Sequence, residues 1–203
     1  GKENNPADMS VLQKVGTKLH REIRQNDDVQ CLMRTVGTAH LNLVMNDYDI
    51  LPVNNFKFGR SEKIGAITPE AYKKYFTQGY ADGCWHGCSM ACAKAVDGFE
   101  LRTGPDKGKK VTVDGPEYET AAAIGANIGI FDPLWTIEAN YYADHYALDT
   151  ISLGTGLAFV CECYELGLIN KEHTGGLELN FGAAEDLMEL IHRMMDGDRK
   201  SVV

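Results

Sequence analysis

Three cysteines, Cys84, Cys88 and Cys92, lie within nine residues of one another near the middle of the chain. Thiolates at such close spacing can hold an iron-sulfur cluster. The same spacing also puts the three residues on roughly one face of a regular helix, where cysteines pack as small apolar side chains. Gly83 and Gly87 disfavour a helix here, so the pattern predicts a turn from which the thiols project toward a common centre.

Acidic residues follow the cysteines in two groups. Glu117 and Glu119 stand on either side of one tyrosine, and Asp144 and Asp149 lie further along the chain. Carboxylates beside glycine-rich turns can bind a cofactor or carry protons. Two structural interpretations stay open. The glutamates would stabilise a helix N-terminus by about 0.3 to 1 kcal/mol each, and Asp149 or Thr150 would cap a helix.

The composition disfavours several classes of protein. A formal net charge of -9 argues against a nucleic-acid or anionic-membrane surface, because the field of the whole chain repels phosphates. The longest uncharged apolar stretch, 151–160, is too short to cross a bilayer. Six cysteines, three of them close together, suit a reducing compartment, so a cytoplasmic location is expected. The sequence has no phosphate-binding P-loop, dinucleotide fingerprint or serine nucleophile elbow.

Periodicity and capping residues predict mostly helix around these groups. Val11, Leu12, Val15 and Leu19 share one face of a first helix, and Thr68, followed by proline, is a typical helix start. The predicted helices span 9–24, part of 29–45, 71–79, about 132–147, 150–166 and 183–195. A long loop is predicted over 46–66, and 99–103 pairs with 110–113 as a hairpin. The predicted fold class is therefore mainly α, a single multihelical domain over 1–203 with one short β-hairpin.

Taken together, these segments resemble the tungsten-dependent aldehyde:ferredoxin oxidoreductase family. The resemblance runs from Leu51-Pro-Val-Asn-Asn-Phe56 to Gly182. Its most specific part is the pairing of Glu-Tyr-Glu-Thr at 117–120 with Leu-Asp-Thr-Ile-Ser at 148–152. The resemblance implies that this chain is the middle, helical domain of a larger oxidoreductase, flanked by an amino-terminal pterin-binding domain and a carboxy-terminal domain.

The resemblance implies that Cys84, Cys88 and Cys92 bind a 4Fe-4S cluster, with a fourth ligand outside this chain. The family spacing is typically Cys-x2-Cys-x3-Cys, and this chain has one extra residue in the first gap. Cys161 and Cys163 lie in an apolar helical stretch, which favours packing over ligation.

The resemblance also implies the catalytic and cofactor-binding residues. Glu119, the second glutamate of its segment, would lie beside the metal and act as a base. Asp144, Leu148 and Asp149 would bind a pterin, the aspartates by accepting hydrogen bonds from its N–H groups. Ala147 replaces the glycine usual in this pattern, and its methyl group would crowd a close approach of the backbone.

Some family members bind a further metal ion through a Glu-x-x-His sequence. This chain keeps the glutamate as Glu138 but has Tyr141 in place of the histidine. Tyrosine is a poor ligand for a divalent ion at neutral pH, so this metal is not expected.

The implied function is the oxidation of aldehydes to carboxylic acids at a tungsten or molybdenum bis-pterin centre. Electrons would pass through the 4Fe-4S cluster to ferredoxin or another electron-transfer protein. A low-potential aromatic acyl-CoA reductase of the same superfamily and a non-catalytic helical interaction domain are alternatives. A zinc-bound structural domain using the three clustered cysteines and His86 is a third. No nucleic-acid or membrane partner is expected, and homo-oligomerisation is left open.

Overall fold

The computed structural model describes residues 6–26, 28–77, 83–84, 88, 90–195 and 197. Within them the fold class is confirmed as mainly α with one short hairpin. The α-helices are α1 (Met9–Asn26), α2 (Asp28–Val36), α3 (Leu41–Asp47), α4 (Pro69–Lys73), α5 (Tyr118–Ala123), α6 (Pro133–His145), α7 (Thr150–Glu165) and α8 (Ala184–Met195). The strands β1 (Ala95–Glu100) and β2 (Lys110–Asp114) form an antiparallel pair.

Helix starts were predicted more accurately than helix ends. Thr68 and Asp132 cap α4 and α6, because each side chain accepts a hydrogen bond from a first-turn amide. The predicted helix over 71–79 is wrong in extent: α4 ends at Lys73, and residues 78–82 lie outside the described part. Helix α6 ends two residues early, since Ala147 adopts a left-handed φ of 56°.

Two further boundaries differ from the prediction. The segment 29–45 is divided at Gly37, whose φ of 74° interrupts the helical path between α2 and α3. Strand β1 begins at Ala95, four residues before the predicted start, and its pairing with β2 is irregular between Val96 and Phe99. The irregularity contains Gly98, which has a φ of 70°, as expected for a β-bulge.

Helices α6, α7 and α8 enclose the larger core. Trp135, Ile137 and Tyr142 of α6 are all buried, so this helix is covered on most sides by its neighbours. A second core cluster, around Leu51, Ile67, Tyr72 and Ala121, joins the loop before α4 to α5.

The apolar face predicted for the first helix lies on the surface of α1: Leu12, Val15 and Leu19 are all about half exposed. In the described part, no helix is long and apolar enough to cross a membrane.

A close contact between α5 and α7 brings the two most specific motifs together. Gly154 of α7 packs directly against Ala123 of α5, where any Cβ would overlap the neighbouring backbone. The hydroxyls of Thr120 and Thr150 lie 2.8 Å apart across the same contact. The absence of a side chain at position 154 therefore sets the N-terminus of α7 beside the start of α5.

Candidate functional site

A cavity of about 550 Å³ lies where four segments of the chain meet. Its walls come from the segment that contains Cys84 and Cys92, here called the cysteine segment, and from the end of β2 with the turn into α5. The C-terminal half of α6 and the N-terminus of α7 complete the walls. The lining residues are Gly83, Cys84, Cys92, Ala93, Asp114, Gly115, Glu117, Thr120, Asn140, Asp144, Leu148, Asp149 and Thr150. The predicted pterin-binding residues Asp144, Leu148 and Asp149 thus share one cavity with two of the three predicted cluster ligands.

The cavity is acidic, and two of its carboxyl groups, those of Glu117 and Asp144, have a raised pKa. Burial, together with the charges of Asp114 and Glu119, raises the pKa of Glu117, although Thr38 donates a hydrogen bond to it. Asp144 lies at the open rim, and partial desolvation with the nearby Asp114 raises its pKa as well. No lysine or arginine is among the described lining residues. This wall therefore suits a ligand that brings hydrogen-bond donors or positive charge.

Asp149 combines a structural role with its place in the cavity wall. Its Oδ2 accepts a hydrogen bond of 2.7 Å from the Ser152 amide and caps α7, so the capping interpretation holds for Asp149. That hydrogen bond lowers the pKa of Asp149. A carboxylate accepts up to about four hydrogen bonds, so capping leaves acceptor sites for a ligand. The two aspartates of one motif thus have opposite pKa shifts.

Glu117 and Glu119 differ sharply in position. Glu117 is the N-cap residue of α5, is partly buried and lines the cavity, whereas Glu119 is exposed on the first turn of α5 and is not among the lining residues. The catalytic role of Glu119 stays a prediction. Glu117 had no predicted site role, because Thr38, which binds its carboxylate, is 79 residues away and belongs to no motif.

The three clustered cysteines lie outside any regular helix and are free thiols. Cys84 is exposed, and Cys92, which is partly buried, has its pKa raised by burial and by the charge of Glu117. Cys88 lies against Gly83. Among the described residues, no three His, Cys, Asp or Glu side chains are arranged to hold a metal ion. The donors have the chemistry a cluster requires, but they would have to converge on binding iron, so their ligand role stays a prediction.

The remaining candidate ligands are His86, Cys161 and Cys163. His86, the fourth residue of the zinc alternative, lies outside the described residues. Cys161 is buried, and desolvation raises its pKa to about 12, which makes it a poor nucleophile and a poor ligand. Cys163 lines a separate apolar groove between α7 and α8.

Glu138 is fully buried and bonded to the hairpin. Its carboxylate accepts hydrogen bonds from the Arg102 amide and Nε, both at 2.8 Å, and from the Thr103 amide and hydroxyl, both at 2.7 Å. The Thr103 hydroxyl also lies 3.1 Å from Nε2 of His192, whose Nδ1 is 3.1 Å from the Tyr146 hydroxyl. Both oxygens of Glu138 are therefore engaged by this chain itself.

Comparison with known proteins identifies the family. The family model described as aldehyde ferredoxin oxidoreductase, domains 2 and 3, matches residues 14–200. A tungsten-containing aldehyde ferredoxin oxidoreductase of Pyrococcus abyssi is 38% identical over 162 residues, which cover 78% of this chain and 25% of the relative. The enzyme of the same name from Pyrococcus horikoshii is 37% identical over the same shares.

A third relative has a different name. It is the WOR-like subunit of an aliphatic sulfonate oxidoreductase from Pyrococcus furiosus, 34% identical over 75% of this chain and 23% of the relative. The chain spans about a quarter of the length of these relatives. With a family match over most of its length and the two motifs meeting in one cavity, this chain belongs to the aldehyde ferredoxin oxidoreductase family.

Proposed function

We propose that this chain is the central domain of a tungsten or molybdenum bis-pterin oxidoreductase that oxidises aldehydes to carboxylic acids. The observation that carries the proposal is an acidic cavity that the 144–149 motif shares with Cys84 and Cys92. The family match supports an oxidoreductase of this kind. Ferredoxin or another electron-transfer protein is the proposed electron acceptor.

Asp144 and Asp149 are the proposed acceptors for pterin N–H groups, and Leu148 is the apolar residue between them. The raised pKa of Asp144 agrees with this role, because donors from a ligand would stabilise the ionised carboxylate. A metal-pterin centre held there would supply two-electron oxidation of the aldehyde, and a 4Fe-4S cluster held by the three cysteines would supply one-electron transfer.

The protons released in the reaction need an acceptor, and a glutamate is the proposed one. Converting an aldehyde and water to a carboxylic acid releases two protons along with two electrons, so a base near the reacting water accelerates the reaction. Glu119 is the proposed base, on an exposed turn that parts of the enzyme outside this chain would cover. The relatives differ in the substrates their names give, so we propose that substrate choice depends on those other parts.

Metal analysis of the intact protein, purified without oxygen, tests the proposal. Tungsten or molybdenum together with iron is expected, along with aldehyde-dependent reduction of ferredoxin or a viologen dye. Zinc alone would favour the structural zinc domain, and no metal at all would favour a non-catalytic interaction domain. Reduction of an aromatic acyl-CoA, without aldehyde oxidation, would favour the reductase alternative.

A further inference from the structure

Lys94 is a buried cation that none of the motifs includes. Only 6% of the residue is exposed, a rare degree of burial for lysine. Its ammonium group donates hydrogen bonds to the carbonyl oxygens of Ala91 at 3.1 Å and Ala93 at 2.8 Å. These two residues flank Cys92 in sequence, so the lysine side chain folds back over the end of the cysteine segment.

The segment that Lys94 holds is strained. Ala91 is buried and has a φ of 48°, a left-handed conformation that costs an L-residue about 1 to 2 kcal/mol. Such a conformation persists only where surrounding contacts maintain it. The Lys94 ammonium supplies one of these contacts directly, through the Ala91 carbonyl. The turn at Ala91 is followed at once by Cys92, which lines the cavity.

Lys94 also contacts the two other segments that form this side of the cavity. Its Cγ lies where a Cβ on Gly37 would come within 2.8 Å, and Gly37 immediately precedes Thr38, the partner of Glu117. The backbone carbonyl of Lys94 accepts a hydrogen bond of 2.7 Å from the amide of Gly115. One residue therefore ties the cysteine segment to both segments that hold Glu117.

We propose that Lys94 is a positioning residue for Cys92: it holds the 91–93 turn against the cavity and supplies the positive charge behind an otherwise acidic wall. Its charge acts on both Cys92 and Glu117. An iron-sulfur cluster with thiolate ligands is anionic, and a nearby cation favours its reduced form. This inference deepens the proposed function, because the cluster belongs to that proposal.

The test compares Lys94→Met with Lys107→Met, which removes the same charge from the exposed tip of the hairpin. In the intact protein, Lys94→Met should retain iron about 10- to 100-fold more weakly, as for other residues that orient metal ligands. Any cluster that remains should have a more negative midpoint potential. Lys107→Met should match the wild type in both measurements. Wild-type iron retention and potential in Lys94→Met would overturn the proposal.

A second measurement separates this inference from the proposed function. If the wild type itself binds no iron, the cluster proposal fails, but the turn can still be examined by hydrogen exchange in the iron-free protein. The Gly115 amide, which donates to the Lys94 carbonyl, should exchange about tenfold faster in Lys94→Met and stay unchanged in Lys107→Met. Equal exchange in both variants would show that Lys94 does not hold the segment.

Discussion

Helix α6 carries two carboxylates, six residues apart, whose surroundings are opposite. Glu138 is buried and accepts four hydrogen bonds, one of them from the guanidinium of Arg102. Asp144 faces the cavity, where it accepts a long hydrogen bond of 3.4 Å from Asn140 and its charged neighbour is Asp114. The first group is satisfied by this chain alone, whereas the second is not.

The comparison indicates that Glu138 has a structural role and that Asp144 binds a ligand. Like charges that lie close together repel and destabilise the fold. The grouping of Asp114, Glu117 and Asp144 around one cavity therefore implies a partner that offsets this repulsion. Glu138 needs no such partner. Changes at the cavity should therefore affect chemistry and ligand binding, and changes at Glu138 should affect folding.

The largest effect is expected at the proposed base. Glu119→Gln keeps the shape of the side chain and removes its basicity, so turnover of the intact enzyme should fall by about two to four orders of magnitude. Steady-state aldehyde oxidation, with bound metal measured in parallel, checks this. Full activity would remove Glu119 from the mechanism. Loss of the metal would mean that its role is structural.

The same substitution at Glu117 compares a glutamate that lines the cavity with Glu119, which does not. Glu117→Gln keeps a side chain that can still accept from Thr38, while it removes the partly buried charge. If Glu117, and not Glu119, carries the proton, the large loss of turnover will appear in this variant alone.

A large loss of stability is expected at the other carboxylate. Glu138→Ala leaves the backbone amides of Arg102 and Thr103 without their acceptor and removes the ion-pair partner of Arg102. The free energy of unfolding should fall by about 3 to 5 kcal/mol. Chemical denaturation measures this cost, with the exposed Glu100→Ala as the control. A loss below about 1 kcal/mol would show that Glu138 is not the structural member of the pair.

The opposite outcome is expected for Asp144→Asn in the ligand-free protein. Because the folded pKa of Asp144 is raised, the wild type loses stability as pH rises from the ordinary value of 3.8 through the folded value. The variant lacks this loss, so near neutral pH it should be the more stable, by less than about 1 kcal/mol because solvent screens the rim. In the intact, cofactor-loaded protein, the pterin content of Asp144→Asn should fall below that of the wild type. Glu172→Gln, in an exposed loop, should change neither quantity.

Asp149→Asn should give the smallest change and the reverse pH dependence. The folded pKa of Asp149 is lowered by its hydrogen bond to Ser152, so its contribution is present above the ordinary value and is lost as pH falls through the folded one. Asparagine still caps a helix, which keeps the effect small. Denaturation of Asp144→Asn and Asp149→Asn across the same pH range should show slopes of opposite sign relative to the wild type.

What the sequence predicted well depends on local signals. The caps at Thr68, Asp132 and Asp149 act within three residues, so each could be recognised from a short stretch of chain. The end of α4 and the start of β1 depend on tertiary packing and were placed wrongly. The proposed pterin-binding residues were predicted through resemblance, and the contact of α5 with α7 at Gly154 places them beside the Glu-Tyr-Glu-Thr segment.

The supporting residues of the site could not be found in this way. Thr38 binds Glu117, and Arg102 binds Glu138, through contacts that span 79 and 36 residues of chain. Lys94 is two residues from Cys92, yet its side chain turns back into the interior only because Gly37 leaves room for it. No residue pattern encodes such contacts, since each depends on how distant segments pack.

The hydrogen bonds around Glu138 also fix a proton on another helix. The Thr103 hydroxyl has one proton and donates it to Glu138, so it must accept from His192 at Nε2. In the neutral imidazole, Nδ1 is then bare and accepts from the Tyr146 hydroxyl. All three hydrogen bonds point the same way, from Tyr146 to Glu138, and polarise one another. A buried negative charge on α6 thus selects the tautomer of a histidine on α8.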